Sequence, residues 1–121
     1  MSTLDQAMNY LADRADVGTY LHYTGSKAVS ANTQTTVLSV TVQPGIWLAI
    51  SNMDLSVSYN STYNHYLDGM VVRSHALNGG GSTNCKVIKT SSTYTLTAQV
   101  YIGTACTARE RLWLIKLGPY V

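Results

Sequence analysis

TTVLSVTVQPGIWLAISNMDLSVS, residues 35–58, is the stretch that decides the fold class. Its first part alternates. Leu38, Val40 and Val42 share one face, and Ser39, Thr41 and Gln43 share the other, the period of a half-exposed β-strand. Pro44-Gly45 punctuates the chain as a turn. Beyond it the run IWLAI, residues 46–50, is apolar at every position and opens a long strand that reaches 58. A strand that is apolar on both faces wants cover on both faces. The segment LWLIKL, residues 112–117, has the same property, broken only by Lys116. A two-layer sandwich covers one face of each strand, so the other face needs a helix or a partner chain.

Working outward, further strands are expected at 20–23, 66–74 (with a bulge at Gly69), 84–90, 91–102 and 109–117. In 91–102 the residues Tyr94, Leu96, Ala98, Val100 and Ile102 line one face. Polar loops are expected at 24–34, 58–65 and 75–84. Short strands joined by turns, with no helical crossovers, predict an antiparallel sandwich or barrel. Only residues 2–17 read as helix. Ser2 with Asp5, or Thr3 with Gln6, forms a capping box, and Leu4, Met8, Leu11 and Ala15 make a two-heptad seam ending at Gly18. A helix this short needs a surface to pack on, either its own domain or copies of itself. The expected organisation is a helical stem over 1–18 and an all-β head over 19–121.

Composition narrows the function classes. Charged residues make up 12% of the 121, about half the usual share, and the net charge is +2. No Lys/Arg run marks a nucleic-acid binder, and no apolar run is long enough to span a membrane. The start, MSTLDQAMNY, lacks a signal peptide's pattern, so synthesis in a cytoplasm is expected. There Cys85 and Cys106 are expected as reduced thiols, with a single bridge as the alternative.

Residues 37–57, VLSVTVQPGIWLAISNMDLSV, resemble the strand, Pro-Gly turn and strand near the start of complement-type and tumour-necrosis-factor-like jelly rolls. The close, GTACTARERLWLIKLG at 103–118, is similar to that superfamily's final hairpin, and TYTLTAQVYIG at 93–103 fits the strand before it. Bacteriophage tail-fibre and receptor-binding tips look like this too: a short heptad stem, then a small jelly-roll head rich in Ser, Thr and Tyr. The resemblance implies an antiparallel jelly-roll sandwich of ten strands, a homotrimer wound together at the stem, and a virion location at a tail fibre or tail tip. It implies host-cell binding, to a saccharide or a protein, through outer loops. Leu4, Met8, Leu11, Trp47 and Trp113 are the expected trimer-interface residues.

No catalytic constellation emerges, and a non-enzymatic module without cofactor or metal is expected. His22, His65 and His75 lack metal-site spacing, no G-x-S-x-G elbow occurs, and Gly79-Gly80-Gly81 is not followed by the residues of a phosphate loop. Asp54 and Asp68 sit in expected strands with no sign of a cleft and read as structural. The one cluster with binding character is Tyr59, Asn60, Tyr63, Asn64 and His65, beside Tyr66. Aromatic rings stack on sugar faces, amides bond their hydroxyls, and such residues compose adaptable binding loops. The plainer reading is a polar turn flanked by core tyrosines. Two function classes follow: an adhesion head that binds a receptor through this loop, or a structural trimerisation or decoration module without a ligand.

Overall fold

The computed structural model describes residues 3, 4, 6, 17–57, 61–76 and 80–120. Eight strands run through them: β1 (Tyr20–Val29), β2 (Thr35–Val42), β3 (Gly45–Leu55), β4 (Ser61–Leu67), β5 (Met70–Ala76), β6 (Gly80–Thr90), β7 (Tyr94–Ile102) and β8 (Cys106–Gly118). They form two antiparallel four-stranded sheets, ordered β1-β8-β3-β6 and β2-β7-β4-β5. Only the β4–β5 connection stays within one sheet, and every other connection crosses to the opposite layer. First pairs with last, second with seventh, third with sixth and fourth with fifth. Neither sheet closes into a barrel.

The inward faces meet in two apolar clusters. At one end lie Met53, Leu55, Tyr63, Val100 and Ile102. At the other lie Val42, Trp47, Leu67, Leu96, Leu112 and Leu114. Burying each of these large side chains contributes about 2 kcal/mol against leaving it in water. Pro44-Gly45 is a corner between the sheets, not a hairpin. Trp47 Nε1 donates to the Gln43 carbonyl at 2.9 Å and holds that corner. A side chain on Gly45, at φ 144°, would press on the Lys116 and Trp47 side chains and the Gly118 carbonyl.

Three sequence expectations need correction. Residues 61–65 are not loop: β4 begins at Ser61, with Tyr63, His65 and Leu67 pointing into the core. Polar composition hid this strand, because its inward histidine is satisfied by hydrogen bonds to other strands. Residues 66–74 are not one bulged strand but a hairpin. Leu67 pairs with Met70 around Asp68-Gly69, whose φ values of 50° and 80° give the left-handed two-residue turn that suits the twist of a hairpin. Lys86 Nζ reaches Asp68 at Oδ2 (2.8 Å) and at its carbonyl (3.1 Å), and the Tyr94 hydroxyl donates to Asp68 Oδ1, so β6 and β7 both pin the turn. The third correction is strand length. β1 runs on to Val29, β6 begins at Gly80 and β8 at Cys106, so loops 24–34 and 75–84 are shorter than expected.

The stem expected over 2–17 lies almost wholly outside the described residues. Thr3, Leu4 and Gln6 are helical and exposed, but no helix is among the described elements. No helix of the described residues is long and apolar enough to cross a membrane.

The hairpin turn yields a test. A Cβ on Gly69 meets no atom within 4 Å, so Gly69→Ala carries only the backbone strain of its positive φ. It should lower the unfolding free energy by about 1 kcal/mol in urea denaturation. An unchanged midpoint would show that the turn is not held in this conformation.

Candidate functional site

Between the two apolar clusters the core is polar. Position 51 in β3, 65 in β4 and 110 in β8 all fall at the inward parity of their strands, and they carry Ser, His and Glu. All three are at most 1% exposed. His65 Nε2 and Ser51 Oγ are 2.7 Å apart, and Ser51 Oγ donates to Glu110 Oε2 at 2.6 Å. With the hydroxyl proton given to Glu110, the imidazole donates Nε2–H to Ser51. Its Nδ1 then accepts from Ser82 Oγ at 2.9 Å. Asn84, also buried, donates to the carbonyls of His65 (3.2 Å) and Met70 (2.8 Å), tying β6 to both strands of the hairpin. The belt thus joins five strands, β3, β4, β5, β6 and β8, across both layers.

Electrostatically the belt is neutral. Burial pushes the Glu110 carboxyl up to about 8, with Asp54 adding to the push. The Ser51 hydroxyl and the Asn52 and Arg111 amides pull less strongly the other way. Burial holds the His65 imidazole down at about 4. The 3.8 Å approach of His65 Nε2 to Glu110 Oε2 is therefore a contact between uncharged groups near neutral pH, not an ion pair. Ser, His and Glu together suggest nucleophilic chemistry, but the order is different. In a hydrolytic triad the imidazole sits between hydroxyl and acid. Here the hydroxyl sits between imidazole and acid, and no solvent reaches it. The arrangement ties the two sheets together.

The second feature is the outer face of the β1-β8-β3-β6 sheet. Strand register brings Tyr20 and His22 of β1, Trp113 and Ile115 of β8, Leu48 and Ile50 of β3, and Val87 of β6 onto one surface. His22 stacks on Trp113 with ring centroids 4.9 Å apart and planes 12° from parallel. Tyr20 is 66% exposed and Val87 55%. The described residues form two layers and no third, so no described element covers this band. Toward the other end the same face turns polar, with Asn52, Asp54, Arg109 and Arg111.

The expected site residues scatter. Tyr59 and Asn60 lie outside the described residues. Tyr63 and His65 are buried in the sandwich core instead of standing on a loop. Asn64 is half-buried on the outer side of β4 and donates to the Tyr66 hydroxyl at 3.3 Å. Of the expected interface residues, Met8 and Leu11 lie outside the described residues and Leu4 is 69% exposed. Trp113 is half-buried on the outer face, whereas Trp47 points into the core, with Lys116 Nζ 5.9 Å from its ring centroid. The parity of the IWLAI run decides this: Trp47 and Ala49 turn inward, Ile46, Leu48 and Ile50 outward. Asp54 and Asp68 stand on different sheets, and Cys85 and Cys106 are free thiols. Among the described residues no group of three His, Cys, Asp or Glu side chains is placed to hold a metal ion. Ser51 and Glu110 lie outside the expected site residues, although each is a polar residue at the inward period of an otherwise apolar strand.

The chain matches no protein-family model and no curated protein. Among solved structures it is similar to the structure of infectious bursal disease virus Gx strain, at 14% identity over 83% of this chain and a TM-score of 0.44. The Gt strain of that virus gives 14% identity, the same 83% coverage and a TM-score of 0.37. The chain spans about a third of the viral chains it matches (32%). Likeness at this level assigns neither a family nor a function.

The belt makes stability depend on pH in a defined direction. His65 has its folded pKa below the ordinary 6.5, so its contribution is intact above 6.5 and is lost as pH falls toward 4. Glu110 has its folded pKa above the ordinary 4.5, so its contribution is intact below 4.5 and is lost as pH rises through 8. Between 6.5 and 8 only the Glu110 loss remains. Glu110→Gln should therefore flatten the fall in melting temperature across that interval while preserving the fold. Equal slopes for parent and variant would mean that Glu110 is already ionised in the core.

Proposed function

We propose that this chain is the non-enzymatic head of a virion surface protein, a jelly roll that assembles as a homotrimer through the outer face of its first sheet. Pairing first strand with last, second with seventh and so on inward is the folded ribbon of an eight-stranded jelly roll, two fewer strands than the resemblance implied. That fold serves capsids and lectins alike, so the reading rests on a site, not on the fold. The site is the apolar band of Tyr20, Leu48, Ile50, Val87, Trp113 and Ile115, which no described element covers. A contiguous apolar surface rimmed by polar residues marks an interaction face, and on an isolated chain it would invite aggregation. Three copies turned inward on this face cover it. A seam of Leu4, Met8 and Leu11 would join the same assembly at the stem.

Of the two function classes, the apolar band supports the assembly role, and adhesion through the 59–65 loop loses support. The adhesion reading placed its ligand on a Tyr- and Asn-rich loop, and two of the five residues named there, Tyr63 and His65, are committed to the core. A tail-tip location is the setting that the resemblance suggests for such a head.

Sedimentation equilibrium tests this. The parent protein should run at three times the 13.1 kDa chain mass. Ile115→Asp, on the outer face, should weaken assembly at least about hundredfold by placing a charge in the interface, with the β-type dichroism spectrum unchanged. A parent that sediments at the chain mass at all concentrations would overturn the proposal.

A further inference from the structure

The polar end of the same outer face forms a cleft of about 410 Å³. Arg109 and Arg111 stand two residues apart on the outer side of β8, so their stems leave the sheet about 6.7 Å from each other. The register sets Ser26 opposite Arg109 and Thr24 opposite Arg111 on one flank, and Asp54 opposite Arg109 on the other. Asp54 nevertheless makes no ion pair with Arg109 among the described residues. Its carboxylate lies over Gly81 of β6, where any Cβ would collide with Asp54 Oδ1. Neither guanidinium has a carboxylate partner among the described residues. The smaller hollow beside Leu55 and Thr107 shares Asp54 and Arg109 and prolongs the cleft along β8.

We infer that this cleft is a binding site for a saccharide that carries a carboxylate. The chemistry of the lining selects that class. Two guanidinium forks without a carboxylate partner among the described residues offer paired N–H donors to a planar carboxylate. The Asp54 carboxylate only accepts, so it repels a bare anion but bonds a ligand that brings hydroxyl donors. Thr24 and Ser26 hydroxyls donate or accept and suit a polyol ring. The volume lies in the range of small-ligand sites. The cleft is lined by residues of one chain and occupies the polar end of the face whose apolar band is proposed to assemble, so the inference does not rest on that assembly.

Glucuronate, glucose and acetate separate the parts of this recognition. With the full-length protein labelled in its arginine side chains and backbone amides, glucuronate should give saturable NMR shifts confined to residues 24–26, 54 and 109–111. Acetate has the charge without the ring and glucose the ring without the charge, and each should bind at least about tenfold more weakly. Arg109→Ala and Arg111→Ala, both at exposed positions, should each weaken glucuronate binding about tenfold or more while the Trp113 signals stay in place. In the Ile115→Asp variant the affinity should be unchanged, whatever that variant does to assembly. Acetate binding as tightly as glucuronate would show a simple anion site. No shift with glucuronate, no effect of the arginine variants, or binding lost with Ile115→Asp would each overturn the inference.

Discussion

A two-layer sandwich has one interior, and β3 and β8 are built for two. Both lie in the middle of their sheet, paired on each side, and both present large apolar side chains alternately inward and outward. Met53, Leu112 and Leu114 fill the space between the layers, while Leu48, Ile50, Trp113 and Ile115 stand on the far side of the same backbones. Strand alternation makes this unavoidable: once one set of residues is committed to the core, the other set faces away from it. The outer surface of this sheet therefore follows from the packing of its inner surface, and its apolar character points to a third layer supplied from outside the sandwich.

The buried belt is the second organising feature. Polar groups inside a core are costly unless bonded, and the links of this chain of hydroxyl, imidazole and carboxyl fall at 2.6–2.9 Å, with Glu110 Oε1 alone in the belt left without a hydrogen-bond partner among the described residues. Its position matters as much as its chemistry. Ser51, His65 and Glu110 sit at the waist, with Trp47, Leu67 and Leu112 on one side and Met53, Tyr63 and Val100 on the other. A slip of β4 by one residue would turn His65 outward, remove its bonds to Ser51 and Ser82, and bring Asn64 into the core in its place. Apolar side chains exchange with modest loss, but this set fits only one register.

Much of this was legible in the sequence, and the failures have physical causes. The alternation at 35–43 and 91–102 reads directly because the outward faces there are polar. The double-sided character of 46–50 and 112–117 also read directly, since no single-face pattern accounts for IWLAI. What stayed hidden was β4. Its inward residues are Tyr63, His65 and Leu67 and its outward ones Thr62, Asn64 and Tyr66, so polarity does not alternate, and only the partners on β3, β6 and β8 make His65 an inward residue. Asp68-Gly69 carries the hairpin signal openly, but with no legible strand before it the pair reads as a bulge within one strand. The cleft of Arg109 and Arg111 depends on which residues lie across β1 and β3, information that resides in register and not in local sequence.

If the outer face of the β1-β8-β3-β6 sheet is the interface between copies of this chain that we propose, the two tryptophans report on it separately. Trp47 lies in the core and Trp113 on that face. In protein labelled with 5-fluorotryptophan, the fluorine resonance of Trp113 should move as the protein is concentrated and lose its solvent isotope shift, while that of Trp47 stays fixed. A Trp113 resonance that keeps its position and its solvent isotope shift from the most dilute to the most concentrated sample would contradict the account.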